Sequence, residues 1–101
     1  VELDAAAADK LLTAEMAAPL RDLRARLAEA TAWEHDSIQQ AFQQVIAAHG
    51  LKLGKLAQPV RLATTGRTAS PGIFELMEVL GRERSLRRIE HAVEWIERRS
   101  A

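Results

Sequence analysis

Hydrophobic residues recur three or four positions apart along most of the chain, which is the period of amphipathic helices. The first segment, Asp4 to Leu12, is rich in alanine and predicts a short helix. A second helix is predicted after Thr13, a residue that can cap it. Pro19 interrupts this second segment, so the helix either bends at Pro19 or begins there. Its apolar positions are Met16, Leu20, Leu23 and Leu27.

A third amphipathic segment ends at Gly50, which suits a left-handed helix cap. Thr31 and Glu34 have the spacing of a capping box at its start. Asp36 and Ser37 offer two later starts. The apolar stripe of this segment is formed by Ile38, Phe42, Val45 and Ile46.

Prolines and glycines divide the second half of the chain more finely. The segment from Leu51 to Ala57 predicts one or two helical turns. Pro59 suits the first turn of a separate helix, Val60 to Thr65, which Gly66 would end. We therefore expect two short helices here.

Two more helices are predicted before the chain ends. Ser70 can cap the first of them, with Pro71 at its first helical position and Gly81 at its end. The last helix runs from Glu83 to about Arg98. No segment shows the alternation typical of a strand. The pattern predicts a single all-α domain over residues 1–101, a compact bundle of about five to seven short helices.

Composition agrees with helix packing. Of the 101 residues, 48% are apolar and only 4% aromatic, a balance that favours helices over a sheet. We expect Trp33 to pack as a lid on the core and Phe74 to join it. With no cysteine there is no disulfide or thiolate metal site, which permits a reducing cytoplasm. No apolar run is long enough to span a membrane. Because the chain starts at Val1 in mid-pattern, we expect a fragment of a longer protein.

Fourteen basic and fourteen acidic side chains cancel, but they are unevenly distributed. Residues 1–50 contain four basic and eight acidic residues, a net charge of −4. Residues 51–101 contain ten basic and six acidic residues, a net charge of +4. The basic half suits contact with phosphate, while the acidic half suits solvent or a neighbouring domain.

Catalytic patterns are weak. The three histidines, at positions 35, 49 and 91, fall in different predicted helices without a metal-binding spacing. The glycines form no phosphate-binding loop. We therefore predict that this domain is non-catalytic and holds no cofactor or metal.

Sequence patterns typical of ligand binding are clearer than catalytic ones, and Arg61 is the first candidate binding residue. It follows Pro59 by two positions, and a guanidinium held there can form two parallel hydrogen bonds with a base edge or a phosphate. The alternative is that Arg61 pairs with a helix C-terminus or with Glu75. A second candidate is the helix start at Ser70, Pro71 and Ile73, which offers a hydroxyl, free backbone N–H groups and apolar contact to a ring. A structural cap is the alternative there.

Four stretches in this half also resemble a known family. They are Lys52 to Arg61, Thr65-Gly66, Ser70 to Glu75 and Leu80 to Arg84, and their order and spacing are similar to the C-terminal anticodon-binding region of bacterial glutamyl-tRNA synthetases, which are class I aminoacyl-tRNA synthetases. The resemblance implies that residues 51–101 contact RNA and that residues 1–50 support them.

The resemblance also implies the whole protein's activity and partners. The full-length enzyme would be a cytoplasmic, monomeric glutamate–tRNA ligase that attaches glutamate to tRNA(Glu) with ATP and Mg²⁺. This fragment would bind the anticodon loop beside the catalytic and first anticodon-binding domains of the same chain. The arginine of the family's Gln-Pro-x-Arg motif falls on Arg61, and the family's anticodon-contacting loop falls on Ser70, Pro71 and Ile73. Basic residues that suit less specific phosphate contacts are Lys52, Lys55, Arg82 and Arg84. A helical protein-interaction module, with Arg61 as a rim contact, remains the alternative.

Overall fold

A computed structural model describes residues 4–66 and 72–100. Six α-helices and one short 3₁₀ turn lie in these ranges, where no strand occurs, and this confirms the predicted all-α class. None of the described helices is long and apolar enough to cross a membrane. The helices are α1 (Ala5–Leu11), α2 (Ala17–Ala28), α3 (His35–His49), α4 (Leu53–Thr65), α5 (Ile73–Leu80) and α6 (Arg82–Ser100), and the 3₁₀ turn spans Ala14–Met16.

The core forms where α2, α3, α4 and α6 meet. Helix α6 packs on α2 and α4, while α3 packs on α2 and α5. Fully buried side chains from each of the four helices include Leu20, Leu23, Leu27, Ile38, Phe42, Val45, Leu56, Val60, Leu62, Ile89 and Ile96. The apolar stripes predicted for the second, third and last helices therefore all face inward. Their combined burial supplies most of the favourable free energy of folding.

The helix starts differ in part from prediction. Pro19 is the third residue of α2, within the first turn, where its missing N–H has no helical acceptor to lose. The predicted capping box is wrong, because α3 begins at His35 and the Glu34 side chain makes no capping hydrogen bond. Gly50 ends α3 with φ 64°, as predicted, in the left-handed region that favours glycine.

Helix α4 corrects the prediction of two short helices. It is continuous over thirteen residues and contains Pro59. An internal proline costs about 3 kcal/mol, because it removes one backbone hydrogen bond and crowds the preceding turn. Leu56, Val60 and Leu62 are fully buried on this helix, and each contributes about 1.5–3 kcal/mol by burial. Burial on both sides of Pro59 thus outweighs its cost, and Arg61 lies inside a helix rather than at the start of one.

Helices α5 and α6 meet at a sharp corner. Helix α5 begins at Ile73, two residues later than predicted, while Ser70 and Pro71 lie outside the described residues. Gly81 ends α5 as predicted, with φ 92° and its N–H donating to the Met77 carbonyl at 3.0 Å. Because α6 starts directly at Arg82, the corner is a single glycine.

A half-buried polar cluster joins α2 to the end of α3. The Asp22 carboxylate accepts a hydrogen bond from Arg26 Nε at 2.8 Å and lies 3.0 Å from His49 Nε2. Burial raises the pKa of Asp22, but hydrogen bonds from Arg26 and His49 and their positive charges outweigh this effect and leave the pKa below its ordinary value. The ionised carboxylate therefore stabilises the folded state.

We predict an acid-dependent loss of stability from this cluster. Since the folded-state pKa of Asp22 is lowered, its contribution of roughly 1 kcal/mol is complete above the unfolded-state pKa of about 3.9. The contribution disappears as the pH falls through the lowered folded-state value. Urea unfolding from neutral to acidic pH should show a smaller acid-induced loss in Asp22→Asn than in the unaltered chain. The control, Glu29→Gln at the C-cap of α2, should keep the full loss, and equal losses in all three proteins would contradict the prediction.

Candidate nucleic-acid interface

Arg61 carries hydrogen-bonding capacity that the fold does not use. It is half-buried on α4, and its Nε is buried without a hydrogen-bond partner. Its guanidinium forms no ion pair with any residue in the described ranges. Glu75, the alternative partner considered for it, instead lies 3.4 Å from His35 Nε2. Arg61 thus has hydrogen-bonding capacity that no internal partner uses, although its Nε is shielded from solvent.

Gln58 lies one turn before Arg61 and shares its face of α4. Its Oε1 is also buried and has no hydrogen-bond partner. Sequence reasoning missed this residue, and its one signal was its place at the start of the Gln58-Pro59-Val60-Arg61 run. An amide acceptor beside a guanidinium donor matches a base edge, which presents donors and acceptors side by side.

Two predicted phosphate contacts, Lys52 and Lys55, are exposed around the start of α4. Lys55 lines a groove of about 220 Å³ between α1 and α4, together with Gln58 and Lys10. Lys10 belongs to the acidic half of the sequence and was not predicted. The groove therefore places two ammonium groups beside the unpaired amide of Gln58.

Arg82, a predicted phosphate contact, makes contacts within the fold. Its Nη2 donates to the Ala30 carbonyl at 2.5 Å, and its guanidinium lies 5.6 Å from the ring centroid of Trp33. Trp33 in turn donates its indole N–H to the Met77 carbonyl at 2.8 Å, which fits its predicted role as a lid. Arg82 thus joins the start of α6 to the segment before α3, although its buried Nε has no hydrogen-bond partner.

Ile73, predicted to make an apolar contact with RNA, is buried. Only 3% of its surface is exposed, and it packs in the core with Met77. A nucleobase therefore has almost no Ile73 surface to contact in this structure, and a role of Ile73 in RNA binding stays a prediction. Phe74, beside it, is half-buried and joins the core as predicted, with its ring edge-on to Phe42 at a centroid distance of 5.1 Å.

The remaining predicted residues lie in two places. Arg84 is exposed on α6 and forms no hydrogen bond or ion pair within the described part of the chain. Ser70 and Pro71 lie outside that part. The described residues also contain no group of three or more histidine, aspartate or glutamate side chains that could hold a metal ion. What the structure brings together is a set of unpaired donors and one acceptor on α4.

Comparison with known proteins identifies the family. Residues 1–93 match the family model described as an anticodon binding domain. The chain belongs to this family. The match confirms the resemblance noted in the sequence, and we refer to the chain as the anticodon-binding domain.

Similar proteins are glutamate–tRNA ligases. The domain is 45% identical over 100 residues to the glutamate–tRNA ligase of Syntrophobacter fumaroxidans, covering 99% of this chain and 21% of that protein. It is 45% identical over 94 residues to glutamate–tRNA ligase 1 of Nitrosococcus oceani, covering 93% of this chain and 20% of that protein. The domain thus spans about a fifth of the length of these relatives.

A solved structure has the same fold. The crystal structure of a glutamate tRNA ligase from Elizabethkingia meningosepticum, in complex with its amino acid, matches with a TM-score of 0.85 and 28% sequence identity. The match covers 92% of this chain and 18% of that one. The arrangement of helices is therefore shared with part of that ligase.

We predict that Arg82 contributes to stability and Arg84 does not. Arg82→Met removes a charged hydrogen bond and a cation–π contact, so the free energy of unfolding should fall by about 1–3 kcal/mol. Arg84→Met, two residues away and exposed, should change it by less than about 0.5 kcal/mol. Urea unfolding at neutral pH measures both values. Equal values for the two variants would remove the structural role assigned to Arg82.

Proposed function

We propose that this anticodon-binding domain helps a glutamate–tRNA ligase select tRNA(Glu) by holding unstacked bases of the anticodon. One observation carries the proposal: Arg61 Nε and Gln58 Oε1 are both buried, unpaired and on one face of α4. A buried polar atom without a partner costs about 1–3 kcal/mol. Because both atoms are shielded from solvent, the two side chains must turn outward to bind. A base edge that then supplies an acceptor to Arg61 and a donor to Gln58 would recover this free energy.

The distribution of ion pairs supports a polyanionic ligand. Several arginines away from α4 are paired: Arg21 with Glu97, Arg24 with Glu90 and Arg99 with Asp9. Lys52 and Lys55, at the start of α4, have no such partner among the described side chains. These cations are free to attract phosphate, while Arg61 and Gln58 supply the contacts that depend on base identity.

The remaining roles are assigned on the family relationship. The longer protein would couple glutamate to tRNA(Glu) with ATP and Mg²⁺ in a separate catalytic domain, and would act as a cytoplasmic monomer. A first anticodon-binding domain in the same chain would share the RNA with this one. Ser70 and Pro71 would contact the anticodon beside Arg61. The present domain would do no bond chemistry and would contribute binding free energy alone.

The alternative, a protein-interaction module, lacks an apolar docking surface among the described residues. Val79, 88% exposed, is the one large hydrophobic side chain exposed there. Single exposed hydrophobic residues are common on soluble proteins and do not form a binding groove.

Substitution of Arg61 tests base recognition. Fluorescence titration should compare the anticodon stem-loop of tRNA(Glu) with a loop whose third anticodon base is changed. The unaltered chain should prefer the matched loop, and Arg61→Ala should weaken that loop's binding by about 1–3 kcal/mol and remove most of the preference. Arg61→Lys keeps the charge but not the planar fork, so it should also lose the preference while keeping the salt dependence. An unchanged preference in both variants would refute the assignment.

A further inference from the structure

A second groove runs along the exposed side of α6. Its volume is about 460 Å³, and it is lined by Arg84, Arg87, Arg88, Glu90, His91 and Glu94. Residues 84, 87 and 91 are three, four and seven positions apart, which places them on one helix face. At 1.5 Å per residue this face extends for about 10 Å. The groove is therefore an elongated polar surface with three guanidinium groups.

Arg88 fixes the position of the α6 groove relative to α4. Its Nη1 donates to the Thr64 carbonyl at 2.6 Å, near the C-terminal end of α4. This bond satisfies a terminal helix carbonyl and places a cation beside the negative end of the helix dipole. Thr64 is less than one turn beyond Arg61, so the α6 groove lies beside the end of the helix that carries the candidate base contacts.

The charge of the α6 groove is positive despite its two glutamates. The Glu90 carboxylate lies 3.0 Å from Arg24 Nε, which approaches from α2 and neutralises it. Glu94 is then the one acidic group left against three arginines. Arg84 and Arg87 are exposed, and neither forms a hydrogen bond or ion pair with another described residue. Two free guanidinium groups are therefore available to anions.

We propose that the α6 groove binds consecutive phosphates of an RNA backbone, independently of base sequence. Arg84 and Arg87 would contact phosphate oxygens, and Arg88 would act as a positioning residue through Thr64. The proposal rests on the proposed function for the identity of the polyanion. It adds a division of roles, in which α4 recognises bases and α6 holds the backbone that passes the end of α4.

The double variant Arg84→Gln with Arg87→Gln tests the α6 groove. It should be titrated with the tRNA(Glu) anticodon stem-loop and with a hairpin of equal length and unrelated loop sequence, over a range of salt concentrations. Loss of two phosphate contacts should make the slope of log K against log salt shallower by about 1.4 for both hairpins. The same slope change corresponds to about 25-fold weaker binding at 0.1 M salt, if the curves converge at 1 M. The preference for the matched loop should not change.

Two single variants serve as controls, one for the position of the arginine on α6 and one for the sign of the charge in the groove. Arg98→Gln removes an exposed arginine of α6 that lies outside the groove, about 21 Å along the helix from Arg84. This separation exceeds the screening length of about 10 Å at 0.1 M salt, so the slope should change little. Glu94→Gln removes the unneutralised acid and should tighten binding to both hairpins. Circular dichroism of each variant checks that the helices remain.

The outcomes separate this inference from the proposed function. Any one of three results would overturn the groove proposal, even if Arg61 still governs base preference. They are an unchanged salt slope in the double variant, an equal slope change in Arg98→Gln, and weaker hairpin binding by Glu94→Gln. A shallower slope together with no base preference in the unaltered chain would uphold the groove and reject base selection. If the double variant lost the unaltered chain's binding to a polyglutamate peptide but still bound both hairpins normally, the groove would be a site for an acidic protein. That result would also overturn the proposal.

Discussion

Burial of one stripe of α6 against α2 and α4 is the constraint on which the rest of the domain depends. Ile89 and Ile96 are fully buried, and Val93 nearly so, which fixes the rotation of this long helix. The opposite face must then face outward, and it carries Arg84 and Arg87. The packing that stabilises the fold therefore also sets which charges are displayed. Because α4 shares this contact, its own outward face, with Gln58 and Arg61, is fixed by the same burial.

Arginine has three different roles in this small domain, and its surroundings decide which one applies. Arg82 bonds a backbone carbonyl and lies over an indole ring, so it acts as part of the structure. Arg21 and Arg99 pair with carboxylates across helices, where exposed ion pairs contribute little free energy. Arg61 is held by packing with its donors unpaired. This last arrangement is the one that binding requires, because a ligand need not compete with an internal partner.

The RNA interface that we propose is divided between two helices. Helix α4 presents a donor and an acceptor close together, which suits contacts that depend on base identity. Helix α6 presents separated charges along a groove, which suits a repeating phosphate chain. Arg88 connects the two by its bond to the end of α4. In this proposal, affinity and specificity come from adjacent surfaces whose relative position is held by one partly buried hydrogen bond.

The sequence by itself determined the features that depend on near neighbours along the chain. Apolar spacing predicted the all-α class, and Gly50 and Gly81 marked two helix ends, because periodicity and backbone freedom are local properties. The family also followed from four short stretches of sequence, and Arg61 stays a prediction from the Gln58-Pro59-Val60-Arg61 run. Tertiary structure decided the features that depend on residues distant in sequence. These are the continuity of α4 through Pro59, the burial of Ile73, and the contacts of Arg82 with Ala30 and Trp33. Each needs a partner from another helix, and a one-dimensional pattern does not show which partner will be there.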